Sequence, residues 1–412
     1  MPEQFVIVGA GLAGAKAAET LRAEGFAGKI VLIGEEADRP YERPPLSKGQ
    51  LVGTASRDDA FVHSAGWYPE HDIDLRTGVR VAAIDRAART VSLVDGDPIA
   101  YDKLLLTTGS SPRRLDIPGA DLDNVLYLRT LPDRDELAKK LVPDAQVVVL
   151  GAGWIGLEVA AAARSLGASV TIIETLALPL QRVLGDDVGR VIQALHESHG
   201  VAFHNGASVR ELRGETAVSS VVLAGGTELP ADLVVVGVGI QPNIELAAAA
   251  GLTIANGIAV DAALRTSDPR IFAAGDVANA HHPLIGRSIR VEHWANALHG
   301  GPAAARAMLG QEVSYDRVPY FFSDQYDLGM EYAGWVAPGG YDSVVFRGDP
   351  YAPSREFLAF WEQEGRVLAG MNVNVWDVQD DIQKLVRAGH EGVAVDLSKL
   401  ADEHAPLGSL MS

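Results

Sequence analysis

Gly9, Gly11 and Gly14 stand directly behind an apolar run, Phe5 to Val8, and ahead of an alanine-rich segment at helical spacing. A second apolar run, Ile30 to Ile33, closes on Glu35. Strand, glycine turn, helix and strand in this order make an anion cradle. Gly9 permits the tight turn, Gly11 lets the backbone approach a pyrophosphate, and Gly14 lets the helix pack close to the strand. The helix N-terminus supplies the positive end that a phosphate prefers. Glu35 follows Gly14 by 21 residues (35 minus 14) and is placed to accept from a ribose hydroxyl. A lone glycine triplet also serves as a plain tight turn, so the weight falls on repetition.

The chain repeats the pattern once. Val147 to Leu150 lead to Gly151, Gly153 and Gly156, a helical stretch reaching Leu166, and a strand Val170 to Ile173 ending in Glu174, 18 residues after Gly156 (174 minus 156). No arginine occurs among Thr175 to Gln181, so a phosphate on the ribose would meet Glu174 without a compensating charge. The second site is therefore expected to prefer NADH over NADPH, with Arg182 the nearest cation that opposes this preference.

Other residues suited to chemistry are fewer. Arg39 to Lys48, RPYERPPLSK, is stiffened by Pro40, Pro44 and Pro45. It reads either as a solvated connection or as a loop that holds Arg43 and Lys48 beside a cofactor ring. Ile271 to Val277, IFAAGDV, is a short strand running into Gly275-Asp276, where the carboxylate binds ribityl or ribose hydroxyls, caps a helix, or both. His196 and His199 are three apart, not the four of a zinc-protease helix, and read as a solvated helix face. His281-His282 read as a loop. Neither a lysine-bearing phosphate loop nor a nucleophile-elbow serine is present.

These residues need elements to position them, and the composition allows more than one core. At 412 residues, with 47% hydrophobic and 22% charged, the chain is expected to form two or three globular domains. A formal net charge of −19 opposes nucleic acid and anionic membrane surfaces as partners. With no cysteine, the chain carries no disulfide, thiolate metal site, iron–sulfur cluster or dithiol, and no metal site is expected. Met1 to Gln4 are too short for a signal peptide and no run reaches the roughly 18 apolar residues of a membrane span, so a cytoplasmic location is expected. Leu75 to Ile84 and Thr90 to Val94 read as strands, and Leu104 to Gly109 as a buried strand before a domain crossing at SSPRRLDIPG. Asp232 to Gly239 is another buried strand, and Gln241-Pro242-Asn243 marks the exit from the second nucleotide domain. A small-residue helix, Ala295 to Met308, follows Glu292-His293-Trp294. From Pro319 onward aromatic and β-branched runs suggest an antiparallel sheet of about five strands, then a helix near Asp380 to Ala388. That stretch carries six Lys and Arg against fifteen Asp and Glu, hence −9, and its end from Asp402 reads as frayed.

Taken together, VGAGLAG, ERPPLSK, TTGSSPR, GAGWIGLEVA, FAAGDVA, EHWANA and SDQYDLG resemble, over nearly the whole chain, the NADH-dependent ferredoxin reductases of bacterial oxygenase systems. These belong to the two-dinucleotide flavoprotein fold of glutathione reductase, with apoptosis-inducing factor a more distant cousin. The resemblance implies an α/β protein with two Rossmann-like domains and a C-terminal α+β domain. FAD would be held by 1–112 with 241–318, NADH by 113–240, and 319–412 would form an interface domain. FAD is implied at Gly9, Gly11, Ala13, Gly14, Glu35, Arg43, Lys48, Val81, Gly109, Arg129, Asp276 and Trp294. NADH is implied at Gly151, Gly153, Ile155, Gly156 and Glu174, with Lys48 and Glu158 near the flavin and nicotinamide rings as an ion pair. The disulfide-reducing members of the wider fold carry a cysteine pair that is missing here. The implied reaction runs from NADH through FAD, by hydride and then single-electron steps, to a 2Fe-2S ferredoxin feeding a haem monooxygenase or ring-hydroxylating dioxygenase. Rubredoxin, another acceptor, or a flavin redox sensor are the competing readings, and a monomer or weak dimer is expected. Because such carriers are usually acidic, local basic spots are expected from Arg39, Arg43, Arg113, Arg114, Arg287 and Arg290.

Overall fold

The computed structural model describes residues 2–411, and the chain divides into two compact units. The first comprises 1–43, 57–111 and 241–319; the second comprises 44–56, 112–240 and 320–412.

The first unit is built on a five-stranded parallel sheet in the order Ile271–Ala273, Lys103–Leu106, Gln4–Val8, Lys29–Ile33, Ile73–Arg76. Its strands read as unbroken apolar runs because both faces are covered, and Phe5, Val6, Ile7, Leu32, Leu104 and Leu105 are all buried. Helix Leu12–Ala23 crosses between the first two strands. Helix Trp294–Met308 packs beside it so closely that a Cβ on Gly301 would come within 2.1 Å of the Ala13 carbonyl oxygen. The segment Leu75 to Ile84 is two strands, not one. Ile73–Arg76 closes the parallel sheet and Val81–Asp85 opens a three-stranded antiparallel one. The chain turns between them at Gly78, with φ of 68°, and the Val79 N–H goes to the Gly34 carbonyl.

The second unit carries a second five-stranded parallel sheet, Ala202–Asn205, Ser169–Glu174, Gln146–Leu150, Leu233–Val236, Val125–Leu126. Counted from the strand before each glycine turn, both sheets run third, second, first, fourth, so the sequence repeat is a repeat of topology. The same unit holds the antiparallel sheet expected from the aromatic runs. Its five strands run Tyr320–Gln325, Leu328–Gly334, Arg366–Val373, Phe357–Gln363, Ser343–Arg347, and helix Gln379–His390 packs on it.

Two further expectations are corrected. His281 and His282 lie on strand Ala278–His282 rather than in a loop; alternation exposes His281 and buries His282, whose ring meets the Arg317 carbonyl at 2.9 Å. The segment 403–407, expected to be frayed with the rest of the end, is docked, with Leu407 buried and the Arg347 guanidinium donating to the carbonyls of Glu403 and Ala405; Ser412 lies outside the described residues. No helix among the described residues is long and apolar enough to cross a membrane.

Candidate functional site

The two glycine turns have nearly the same geometry. Gly9 has φ of 116° and Gly151 of 96°, in the region where a side chain is strained. The Gly9 N–H donates to Ile33 and the Gly151 N–H to Ile173, each at 2.8 Å, which fastens each turn to the neighbouring strand. A Cβ on Gly14 would lie 2.1 Å from the Gly9 oxygen, and one on Gly156 would lie 2.2 Å from the Gly151 oxygen, so any side chain would lever the helix off its strand. At the middle glycines, Gly11 and Gly153, an added Cβ meets nothing within 4 Å. Space in front of a helix start whose N-cap has no side-chain hydrogen bond, with no acidic residue in the first turn, suits a pyrophosphate in both places.

The acids at the strand ends differ in their surroundings. Glu35 is exposed and ion-pairs with Arg80 at 3.5 Å. Glu174 accepts from the backbone N–H groups of Ala152 at 2.7 Å and Leu176 at 2.9 Å, which holds its carboxylate over the second glycine turn. Arg182 is exposed on the helix that follows, and Ile155 is 44% exposed at the start of helix Trp154–Ser165.

The remaining candidates in the first unit occupy loops at strand ends. Gly109, with φ of 66°, follows strand Lys103–Leu106, and its carbonyl accepts from the Asn243 N–H. Asp276 sits in a three-residue 3₁₀ turn, Gly275–Val277, and its carboxylate accepts from the Ser110 hydroxyl at 2.7 Å. No long helix starts at Asp276; helix Trp294–Met308 begins 18 residues later (294 minus 276). The Trp294 indole N–H donates to Glu42 at 3.1 Å, and Arg43 pairs with Glu36 at 2.7 Å beside the Tyr41 ring. Val81 is buried at the start of its strand. Ala13 is buried in helix Leu12–Ala23.

Lys48 and Arg129 belong to the second unit. Arg129 precedes a capped helix, its backbone N–H bonded to Asp133. Lys48 closes the 3₁₀ turn Pro44–Ser47 and reaches Glu158 of helix Trp154–Ser165, Nζ to Oε1, at 2.6 Å. The carboxylate is only 5% exposed. The ammonium also lies 5.5 Å from the centre of the Phe322 ring. An ion pair this far from water leaves an uncompensated charge when one member is removed, at a cost of about 3–5 kcal/mol.

Glu158 has two more donors that the sequence reading missed. The Ser47 hydroxyl bonds its Oε2, and the Ser323 hydroxyl bonds its Oε1 at 2.7 Å. Behind Ser323 stands the Gln325 amide at 3.1 Å, and behind that His196 at 2.7 Å, fully buried rather than on a solvated face. Burial pushes the His196 imidazole down to about 4, against a smaller opposing effect of the Gln325 hydrogen bond. A signal was there to read. Ser323 and Gln325 alternate with Phe322 and Asp324, so two polar residues share the inward face of one strand and must find polar partners.

Doubled parallel sheets, two glycine cradles and a buried lysine–carboxylate pair define a pyridine-nucleotide oxidoreductase with two dinucleotide sites. The chain belongs to the pyridine nucleotide-disulphide oxidoreductase family, whose model matches residues 3–301, and a reductase C-terminal model matches residues 320–411. It is 42% identical over 404 residues to the ferredoxin–NAD(+) reductase component of an anthranilate 1,2-dioxygenase system of Burkholderia cepacia, covering 97% of each chain. It is 37% identical to the putidaredoxin reductase of Pseudomonas putida, over 100% of this chain and 97% of that one. Among solved structures it matches the covalent putidaredoxin reductase–putidaredoxin complex with a TM-score of 0.93 at 37% identity, covering 99% of this chain and 98% of that one.

Proposed function

We propose that the protein is an NADH-dependent ferredoxin reductase, which takes electrons from NADH through FAD and passes them singly to a 2Fe-2S ferredoxin feeding an oxygenase. Its setting is the cytoplasm, as a monomer or weak dimer. The observation that carries the reading is the doubled cradle on a chain with no cysteine: two nucleotides are held, and no dithiol can relay between them.

When bound, the flavin supplies the conversion of a two-electron donor into a one-electron donor. The chain's residues bind and orient. The open space at Gly11 and the strained turn at Gly9 fit the flavin nucleotide's pyrophosphate, with Glu35 for the ribose and Asp276 for the ribityl hydroxyls. Ala13, Gly14, Arg43, Val81, Gly109, Arg129 and Trp294 complete that set. Gly151, Gly153, Ile155 and Gly156 take the NADH pyrophosphate side, and Glu174 takes the ribose and disfavours a phosphate there. FAD is assigned to 1–112 with 241–318, NADH to 113–240, and the interface role to 319–412. Lys48 and Glu158 would supply a positive and a negative group to the reacting rings, where a preorganised cation would stabilise negative charge.

The test is reduction of cytochrome c by the purified yellow protein with NADH and a 2Fe-2S ferredoxin, with NADPH in parallel. A steep rise on adding ferredoxin and a preference for NADH of at least about tenfold, the discrimination worth about 1.4 kcal/mol, are expected. If NADH bleaches the flavin and rubredoxin but no ferredoxin speeds its return, the acceptor is wrong. If no carrier does, the redox-sensor reading replaces this one.

A further inference from the structure

The Lys48–Glu158 pair is the end of a longer line of buried polar groups. From Glu158 the line runs through Ser323 and Gln325 to His196, and the Tyr326 hydroxyl lies 3.3 Å from the other ring nitrogen of that histidine. Ser323 and His196 are fully buried and Gln325 is 1% exposed, so none of these three can exchange its partner for water. The groups come from three elements: helix Trp154–Ser165, strand Tyr320–Gln325 and helix Gln181–Ser198.

Proton counting gives the line one direction. A carboxylate has no proton to give, so the Ser323 hydroxyl must spend its only hydrogen on Glu158. The Ser323 oxygen is then an acceptor, and the Gln325 NH₂ must face it. That turns the Gln325 carbonyl toward His196 Nε2, which must carry the ring hydrogen. Nδ1 is left as the acceptor for the Tyr326 hydroxyl, and the low basicity of the buried ring agrees with a neutral imidazole. Every donor on the line therefore points toward Glu158. A glutamine amide left alone has two orientations that fit equally well; the Glu158 carboxylate, by taking the Ser323 hydrogen, selects one of them, and His196 accommodates it as the Nε2–H tautomer.

We propose that Ser323 and Gln325, backed by His196, are positioning residues that hold the Glu158 carboxylate in the geometry that receives Lys48. Both are buried, and they act through Glu158. A role in turnover rests on the reading of Lys48 and Glu158 as groups beside the reacting rings; the positioning itself does not.

The experiment separates the two on the holoenzyme. The side-chain ammonium ¹⁵N signal of Lys48, assigned by its disappearance in Lys48→Met, reports the ion pair directly. Single-turnover reduction of the flavin by NADH reports its use. In Ser323→Ala and Gln325→Glu the Lys48 signal is expected to vanish through fast exchange. The first removes the hydroxyl, and the second gives it a carboxylate to bond in place of Glu158. Ser323→Thr retains the hydroxyl and is expected to keep the signal, which separates positioning from mere packing. Flavin reduction in Ser323→Ala is expected to slow roughly tenfold with NADH affinity unchanged, the size of one hydrogen bond to a charged group. A Lys48 signal that persists in Ser323→Ala with the flavin bound overturns the proposal. A signal that is lost while flavin reduction keeps its rate leaves the positioning standing and removes the ion pair from the reaction.

Discussion

His196 shows at the scale of one residue how burial converts chemistry into pH dependence. Its imidazole is pushed down to about 4 by desolvation, whereas in an unfolded chain it titrates near the ordinary histidine value of 6.5. Between these values the unfolded chain binds the proton and the folded chain does not, so stability falls as pH drops through that window. The contribution approaches about 1.4 kcal/mol per pH unit and sums to about 3 kcal/mol by pH 4. His196→Gln removes the titration. Urea midpoints measured from pH 7.5 to pH 4.5 are expected to fall less steeply in the variant than in the wild type, and parallel slopes would show that the histidine reaches water. Because His63, His293 and His299 are also lowered by burial, the informative quantity is the difference between the two slopes. The sequence misplaces His196 because three-residue spacing speaks to metal geometry and not to burial. The helix it sits on buries Val188, Ile192 and Leu195, and the apolar stripe they form includes it.

Among the elements, the glycine-turn units were the most legible because each glycine answers a steric demand that local spacing reveals. The helix pair in the first unit is a subtler case. Alanine and glycine in 295–308 announce close packing, but only the structure says which position is tightest. An added Cβ on Gly300 would approach nothing nearer than 3.7 Å, whereas on Gly301 it would meet the Ala13 carbonyl at 2.1 Å. Backbone of a packed helix cannot step aside as a flexible side chain can. Gly300→Ala is therefore expected to be neutral or to raise the unfolding temperature, since alanine is favoured in a helix by up to about 1 kcal/mol. Gly301→Ala is expected to lower it, by an overpacking penalty of about 1–3 kcal/mol. Two adjacent variants with the same sign in a thermal unfolding scan would refute this reading of the helix contact. Less legible were the strands where one apolar run hides a turn. Leu75 to Ile84 reads continuously, and the break at Gly78 follows from a positive φ and from where its neighbours' N–H groups go.

For the whole molecule, the nucleotide cradles and the antiparallel C-terminal sheet were readable from the sequence, whereas the fate of individual charges was not, because ion pairing depends on partners distant in the chain. Six arginines were expected to offset the net charge of −19 where an acidic carrier docks. The structure shows several of them committed to other partners. Arg290 has a side chain only 10% exposed, is paired with Glu292 and donates to the Asp276 carbonyl at 3.2 Å. Arg43 is held by Glu36, and Arg39 lies 3.4 Å over the Phe61 ring. Arg287 is exposed, at the start of strand Arg287–Arg290. Its exposure makes it the better probe of docking, since reversing the largely buried Arg290 would disturb the turn at Asp276. Arg287→Glu is expected to slow NADH-driven, ferredoxin-dependent cytochrome c reduction several-fold at low ionic strength, through a slower encounter with an acidic partner. Reduction of menadione, a neutral small acceptor, is expected to be unchanged. The gap between wild type and variant should close as salt rises toward about 0.5 M, where screening shortens the reach of an exposed charge to a few ångströms. Equal loss with both acceptors, or a deficit that ignores salt, would take Arg287 out of the docking surface.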